Sequence, residues 1–256
     1  MCADMATVHV PPLEYFGEAI AQDLTQLAIL HDAEADNPLI QSLQQAHFPT
    51  ALGLKLESKA ARDAMILVKQ ALADIPAPLD EKYADELAAD YAGIYLTHAY
   101  RASPNESVWI DEEHLERQQP MFEVREYYAR YGLGAANWRK RSDDHLVLQL
   151  QFLAHLFGQG DLEQATTTAA RFMDEHLLRW LMPFADRVAA RCATPFYAGV
   201  NLLTGVYCEE LRDLLAYLLG ERRPTPDEIK ARMQQDKPVS VDVPMAFIPG
   251  ADGPSW

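Results

Sequence analysis

The residues of this chain that could take part in chemistry fall in three places, and the first is a His-Asp dipeptide. His31 and Asp32 resemble the pair that helical metal-dependent phosphohydrolases use, but such a site needs further His and Asp ligands on neighbouring helices. His145 and His155 are ten residues apart and cannot share a metal from one helix. The chain has no phosphate-binding glycine loop, no HExxH and no GxSxG. The sequence therefore makes no positive case for an enzyme, and an HD-type metal- or nucleotide-dependent phosphohydrolase is the alternative interpretation.

The second place is an aromatic and acidic stretch. Tyr91 and Tyr95 are one helical turn apart and share a face. The loop "SPNESVW" then supplies a proline, an amide, a carboxylate, a hydroxyl and an indole: Pro104, Asn105, Glu106, Ser107 and Trp109. Further acids follow at Asp111, Glu112, Glu113 and Glu116. The aromatic side chains either pack in a core or form a rigid corner beside a carboxylate.

The third place is "NWRKRSDDH", which contains Trp138 and ends in Asp143, Asp144 and His145. The acids stand in the first turn of a predicted helix, where the helix dipole favours a carboxylate. A capping role explains one aspartate completely. It does not explain a second aspartate and a histidine after a basic loop.

Helices must position these residues, since helical periodicity dominates the chain. Ser58 and Asp80 are predicted N-caps, and Pro183 is predicted to break or kink a long helix. Strand signals occur only in "TVHV" and "VSVDV" near the two ends. The predicted fold is an all-α bundle of about ten helices, at 13–32, 37–47, 57–75, 80–100, 112–131, 143–157, 161–190, 195–219 and 224–236 among others.

The domain prediction is one helical domain over 1–236, followed by an extended Pro/Gly-rich tail over 237–256. Gly132, Gly134 and the basic run make 132–142 the best candidate for a hinge between helical halves. A plain interhelical loop explains the same residues equally well.

Composition restricts the partners. With 22 Lys and Arg against 38 Asp and Glu, the net charge is −16. That sign argues against nucleic acid and against an anionic membrane, and it suits a cationic partner. The three cysteines form no CxxC pair, no run of about 18 apolar residues occurs, and residues 1–16 lack a secretory pattern. A cytoplasmic protein without membrane insertion is expected.

In this order, "YAGIYLTHAYRASPNESVW", "DDHLVLQLQFLAHL", "FMDEHLLRWLMPFADRV" and "FYAGVNLLTGVYCEEL" resemble the TorD/DmsD/NarJ family of cytoplasmic chaperones for molybdenum-cofactor oxidoreductases. The likeness runs from about residue 83 to 219. The family's P-x-E-S-V-aromatic loop matches at 104–109, and its E-P-x-D-H hinge matches at Asp144 and His145. Arg141 and Ser142 stand where that family has Glu and Pro, so a hinge role that depends on the proline is not implied.

The resemblance implies a TorD-like chaperone that binds an apo-molybdoenzyme of the dimethyl sulfoxide reductase type and its twin-arginine signal peptide. It would hold back export until the cofactor is inserted. An arginine pair followed by an apolar stretch requires a groove that combines apolar side chains with carboxylates. The residues expected to bind the peptide or client are Tyr91, Tyr95, Pro104, Glu106, Ser107, Trp109, Trp138, Asp143, Asp144 and His145.

The same resemblance bears on small ligands and on assembly. No resident cofactor and no metal are expected. Members of the family have been linked to guanine nucleotide and to molybdopterin, so both stay open as partners. The chain is expected to be a monomer or a helix-swapped dimer.

Overall fold

The computed structural model describes residues 13–137 and 141–235. They form helices and no strand, which confirms the all-α prediction. Two compact units divide between Arg223 and Pro224, and the second contains α11 (Pro226–Gln235). The α-helices of the first unit are α1 (Leu13–Asp32), α2 (Asn37–Gln45), α3 (Lys59–Asp74), α4 (Glu81–Tyr91), α5 (Ser107–Ile110), α6 (Gln119–Arg130), α7 (Leu146–Gly158), α8 (Leu162–Glu175), α9 (Leu181–Ala189) and α10 (Pro195–Leu219). A π-helical turn at Ala92–Leu96 continues α4, and a 3-10 turn at Leu177–Arg179 separates α8 from α9.

Local signals account for most helix boundaries. The side chain of Ser58 accepts from the backbone N–H of Ala61, and that of Asp80 from Tyr83, so both predicted N-caps are confirmed. Gly220 ends α10 in the left-handed conformation that glycine adopts without steric cost. None of the described helices combines the length and the apolarity that a membrane crossing requires.

Three local predictions were wrong. The helix predicted at 112–131 begins only at Gln119, because Pro120 is tolerated in a first turn but not in a helix interior. The predicted break at Pro183 lies earlier, at 176–180, and this proline stands in the first turn of α9. Neither Asp143 nor Asp144 caps α7, since the His145 side chain accepts from the N–H of Val147.

The core of the first unit is built on α10, which packs against α3, α8 and α9, while α1 packs against α7. Two glycines allow α10 to lie this close to its neighbours. A Cβ built at Gly199 would stand 2.8 Å from Cγ2 of Val68 on α3, and one at Gly205 would stand near Met182 on α9. The close packing of α10 therefore requires positions without a side chain as well as buried apolar side chains.

Several predicted features lie outside the described residues. They are Trp138, the central part of the 132–142 segment, both strand-like stretches and the tail at 237–256. Within the described part of that segment, Gly132 has a φ of +68° beyond the last turn of α6. The domain limits and the hinge stay predictions.

Candidate functional site

The "SPNESVW" loop is joined to the start of α7 by a short backbone ladder. Leu146 N–H donates to the Pro104 carbonyl at 2.8 Å, and Glu106 N–H donates to the Asp144 carbonyl at 3.1 Å. Asn105 and His145 thus form an isolated antiparallel bridge. The second and third places found in the sequence are therefore one structural unit.

The side chain of Asp144 holds the loop against the start of α7. Its buried Oδ2 accepts from Ser107 N–H at 2.8 Å and from Ser107 Oγ at 2.5 Å, and Oδ1 accepts from Ser142 Oγ. The carboxylate therefore caps α5 across space rather than the helix that follows it in sequence. Hydrogen bonds to an ionised group are stronger than those between neutral groups, so this contact strongly couples the loop to α7.

Glu106 connects the loop to the end of α8. Its fully buried carboxylate accepts from Gln149 Nε2 at 2.8 Å and contacts His176 Nδ1 at 3.0 Å. Burial raises the pKa of Glu106, and the nearby His176 opposes that rise. No side-chain surface of Glu106 is available to a partner in this conformation.

Asp143 is also used within the chain. Its Oδ2 accepts from Arg125 Nη2 at 2.7 Å and from Nε at 3.2 Å, and its backbone carbonyl accepts from the Tyr128 hydroxyl. The Asp143 side chain is 3% exposed, whereas that of Arg125 is 41% exposed. This pair faces α6 and does not line the cleft described below.

Tyr91 and Tyr95 pack together with ring centroids 4.9 Å apart, and both hydroxyls bond toward α1. Tyr91 donates to the Asp32 carbonyl at 2.9 Å, and the Tyr95 hydroxyl lies 2.5 Å from His31 Nδ1. His31 is fully buried, and its other ring nitrogen contacts Thr204 Oγ1 at 2.9 Å. Desolvation lowers the pKa of His31 to about 3. Both ring nitrogens of His31 therefore bond to side chains of the core.

Trp109 is half-buried and lies apart from the tyrosines. Its indole N–H donates to the Ser103 carbonyl at 2.8 Å, its ring contacts Phe184 edge-on, and the Arg187 guanidinium lies 4.4 Å above the ring. It borders a separate depression of about 530 Å³. The structure therefore does not bring Trp109 together with Tyr91 and Tyr95.

A cleft of about 660 Å³ does gather several of the predicted residues. Tyr91, Tyr95 and the exposed Leu96 provide apolar lining, and Pro104 and His145 line the same cleft. Burial, followed by the charge of Arg141, lowers the pKa of His145 well below its ordinary value. The charged residues of the lining are Asp32, Glu116, Arg117 and Arg141. This cleft, the tyrosine cleft, is the candidate binding site.

Glu116 was named from the sequence among the acids that follow Trp109, but the contacts that this residue makes in the tyrosine cleft were not predicted. Glu116 Oε1 accepts from Asn105 Nδ2 at 3.0 Å and lies 3.2 Å from His98 Nε2. Those two bonds, with His98 the larger influence, hold the pKa of Glu116 below its ordinary value. Four non-glycine residues with positive φ occur along this stretch, at His98, Arg101, His114 and Arg117. Strained backbone of this kind is enriched in ligand clamps and switch regions, but no pattern in the sequence predicts it here.

The described residues contain no group of three or more His, Cys, Asp and Glu side chains able to hold a metal ion. His31 and Asp32, the two residues behind the phosphohydrolase alternative, contact Tyr95, Thr204 and Arg141 instead. No observation in this part of the chain favours that alternative.

Comparison with known proteins shows that this chain matches a protein family. Residues 58–186 match the family model described as nitrate reductase delta subunit. Proteins named Chaperone protein TorD are similar to this chain: that of Vibrio parahaemolyticus is 31% identical over 53% of this chain and 66% of its own length. That of Photobacterium profundum is 32% identical over 53% of this chain and 65% of its own length. That of Aliivibrio fischeri is 24% identical over 82% of this chain and 99% of its own length. The match thus spans slightly less than two thirds of the first two relatives.

Proposed function

Since this chain belongs to the nitrate reductase delta subunit family, that of the TorD, DmsD and NarJ chaperones, we propose that it is a maturation chaperone for a molybdenum-cofactor oxidoreductase. The relatives named TorD support the chaperone assignment. The client in this proposal is an apo-enzyme of the dimethyl sulfoxide reductase type. The chaperone would work in the cytoplasm, without catalysis of its own.

The ligand of the tyrosine cleft, in this proposal, is the client's twin-arginine signal peptide. The observation that carries it is the lining itself, in which an apolar wall of Tyr91, Tyr95 and Leu96 shares one cleft with the carboxylates of Asp32 and Glu116. An arginine pair followed by an apolar stretch has complementary chemistry. Holding this peptide would delay export until the cofactor is in place.

The predicted site residues take different parts in this proposal. Tyr91, Tyr95, Pro104 and His145 line the cleft. The buried side chains of Glu106, Ser107, Asp143 and Asp144 support its walls, and their contact with a client stays a prediction. Trp109 belongs to the neighbouring depression, where the mature part of the client is the proposed contact.

Calorimetric titration with twin-arginine signal peptides of molybdoenzymes tests this function, each peptide beside its Lys-Lys version. The expected result is micromolar binding of one peptide, weaker binding of its Lys-Lys version and weakening by salt, because a guanidinium binds a carboxylate with two hydrogen bonds and an ammonium does not. Equal binding of the two versions would contradict recognition of the arginine pair. Absence of binding to every peptide would overturn the proposed ligand.

A further inference from the structure

Arg141 lines the tyrosine cleft and binds the end of α1. Its Nη1 forms an ion pair with Asp32 Oδ1, and its Nη2 donates to the Asp32 backbone carbonyl at 3.2 Å. The two residues are 109 positions apart in the sequence, and both line the cleft. One guanidinium of the lining thus occupies both acceptors that Asp32 offers.

The end of α1 suits a guanidinium group for two reasons. The last carbonyls of a helix lack partners within the helix and carry partial negative charge, so a carboxylate at this end adds to that charge. The planar fork of arginine can donate to the carboxylate and to the carbonyl together, which a single ammonium does poorly. The Asp32 side chain is 46% exposed and that of Arg141 is 31% exposed, so solvent and ligands reach both.

The lining of the cleft offers a second acceptor. The Glu116 side chain is 40% exposed and is fixed in place by Asn105 and His98. Asn105 is 95% buried, borders the cleft, and has an Oδ1 without a hydrogen-bond partner in the described part of the chain. Its amide orientation follows from chemistry, since Nδ2 must face the Glu116 carboxylate. The Asn105 oxygen is itself buried, so the exposed carboxylate of Glu116 is the acceptor that a cationic hydrogen-bond donor can reach at this position.

We propose that Arg141 is an internal stand-in for the ligand: it occupies the Asp32 guanidinium site until a peptide arginine displaces it, while the second peptide arginine binds at Glu116. This inference rests on the proposed function for the identity of the peptide. Displacement makes Arg141 a competitor whose removal improves binding.

The test compares Arg141→Gln with a matched control, Arg223→Gln. Arg223 is 33% exposed, pairs with Glu209 and Asp213, and lies outside the cleft lining, so its loss changes the net charge equally. We expect Arg141→Gln to tighten binding of the selected twin-arginine peptide roughly two- to fivefold, the factor that an exposed ion pair provides. Arg223→Gln should leave the affinity within about twofold of the wild type.

Asp32→Asn supplies the second half of a double-mutant cycle. It should weaken binding, and in the Asp32→Asn background Arg141→Gln should bring no gain, because the contested site is gone. Arg141→Lys keeps the charge without the fork and should give an intermediate affinity. Thermal unfolding of every variant checks that the fold is retained.

Binding of a blocked Arg-Arg dipeptide amide, measured by NMR titration, distinguishes a failure of this inference from a failure of the proposed function. If no signal peptide binds, the function fails, yet tighter dipeptide binding by Arg141→Gln than by Arg223→Gln would still support the stand-in. If a signal peptide binds but Arg141→Gln leaves its affinity unchanged or weaker, Arg141 is only a structural fastener and the inference is overturned. Equal gains in both variants would overturn it as well, since net charge would then explain them.

Discussion

Glu106, Asp143 and Asp144 are each bound by donors of the chain itself, although they are the acids that a peptide receptor could use. Each accepts two or more hydrogen bonds from side chains or backbone, and all three are buried. Burying an ionised group is costly unless it is paired in this way. At the residue scale, these three acids therefore hold segments of the chain together, whereas Asp32 and Glu116, although also paired, keep 46% and 40% of their side chains exposed.

His31 should make the protein's stability depend on pH. Its folded pKa of about 3 lies below the ordinary value of 6.5, because burial disfavours the charged ring. Its contribution is thus present above about pH 6.5 and is lost as the pH falls toward 3. Between pH 6.5 and 4.5 this one group should remove roughly 2–3 kcal/mol from the free energy of unfolding.

Urea unfolding of the wild type and of His31→Gln over that pH range measures this contribution. The glutamine variant lacks the titrating ring, so its free energy of unfolding should fall less steeply as the solution is acidified. Parallel curves for the two proteins would contradict a neutral, buried His31.

Several residues of the candidate site were named from the sequence, but some of the contacts between them were not predicted. Tyr91 and Tyr95 were named from their spacing and Pro104 and His145 from the family resemblance, and all four line one cleft. The Asn105–Glu116 contact was not, because its residues meet through a turn with positive φ that no periodic pattern encodes. Whether an acidic side chain is exposed or hydrogen-bonded within the protein also depends on partners such as Gln149 and His176, which are distant in sequence.

At the scale of elements, helix starts were predictable where a side chain caps its own helix. Ser58 and Asp80 show this, since each bonds a backbone N–H three residues on. The start of α7 was not predictable in the same way, because Asp144 turns to Ser107 on another element. Tertiary contacts there outweigh the local preference of aspartate for the N-cap position.

The close packing of α10 on α3 at Gly199 leads to a prediction about the stability of the protein. Gly199→Ala would place a Cβ 2.8 Å from Val68 Cγ2 and 3.2 Å from the Val68 backbone nitrogen. Val68 is fully buried and β-branched, so it cannot turn away. The strain should exceed the roughly 1 kcal/mol gained in helix propensity and leave a net loss of about 1–2 kcal/mol in stability.

Gly158→Ala is the matched control for that substitution. Gly158 ends α7, and a Cβ there would meet nothing within 4 Å. The change should therefore be neutral or stabilise the protein by up to about 1 kcal/mol. Chemical denaturation compares the two variants; a Gly199→Ala protein as stable as Gly158→Ala would show that α3 and α10 can separate at little cost.

At the scale of the whole molecule, the charge of −16 should act before any contact forms. A negative field attracts a cationic peptide from a distance and raises its association rate constant, and salt screens that attraction. The field responds to the charge of the peptide alone, while the carboxylates and the carbonyl of the tyrosine cleft respond to the shape of a guanidinium. The two effects should therefore appear in different rate constants.

Stopped-flow binding of a selected signal peptide and its Lys-Lys version separates them. The two association rate constants should agree within about twofold and should both fall by roughly tenfold between about 20 and 300 mM salt. The dissociation rate constant should be larger for the Lys-Lys version, because lysine loses the paired hydrogen bonds that arginine makes. Discrimination that appears instead in the association rate would place recognition in the encounter step, where the contacts of Asp32 and Glu116 have not yet formed.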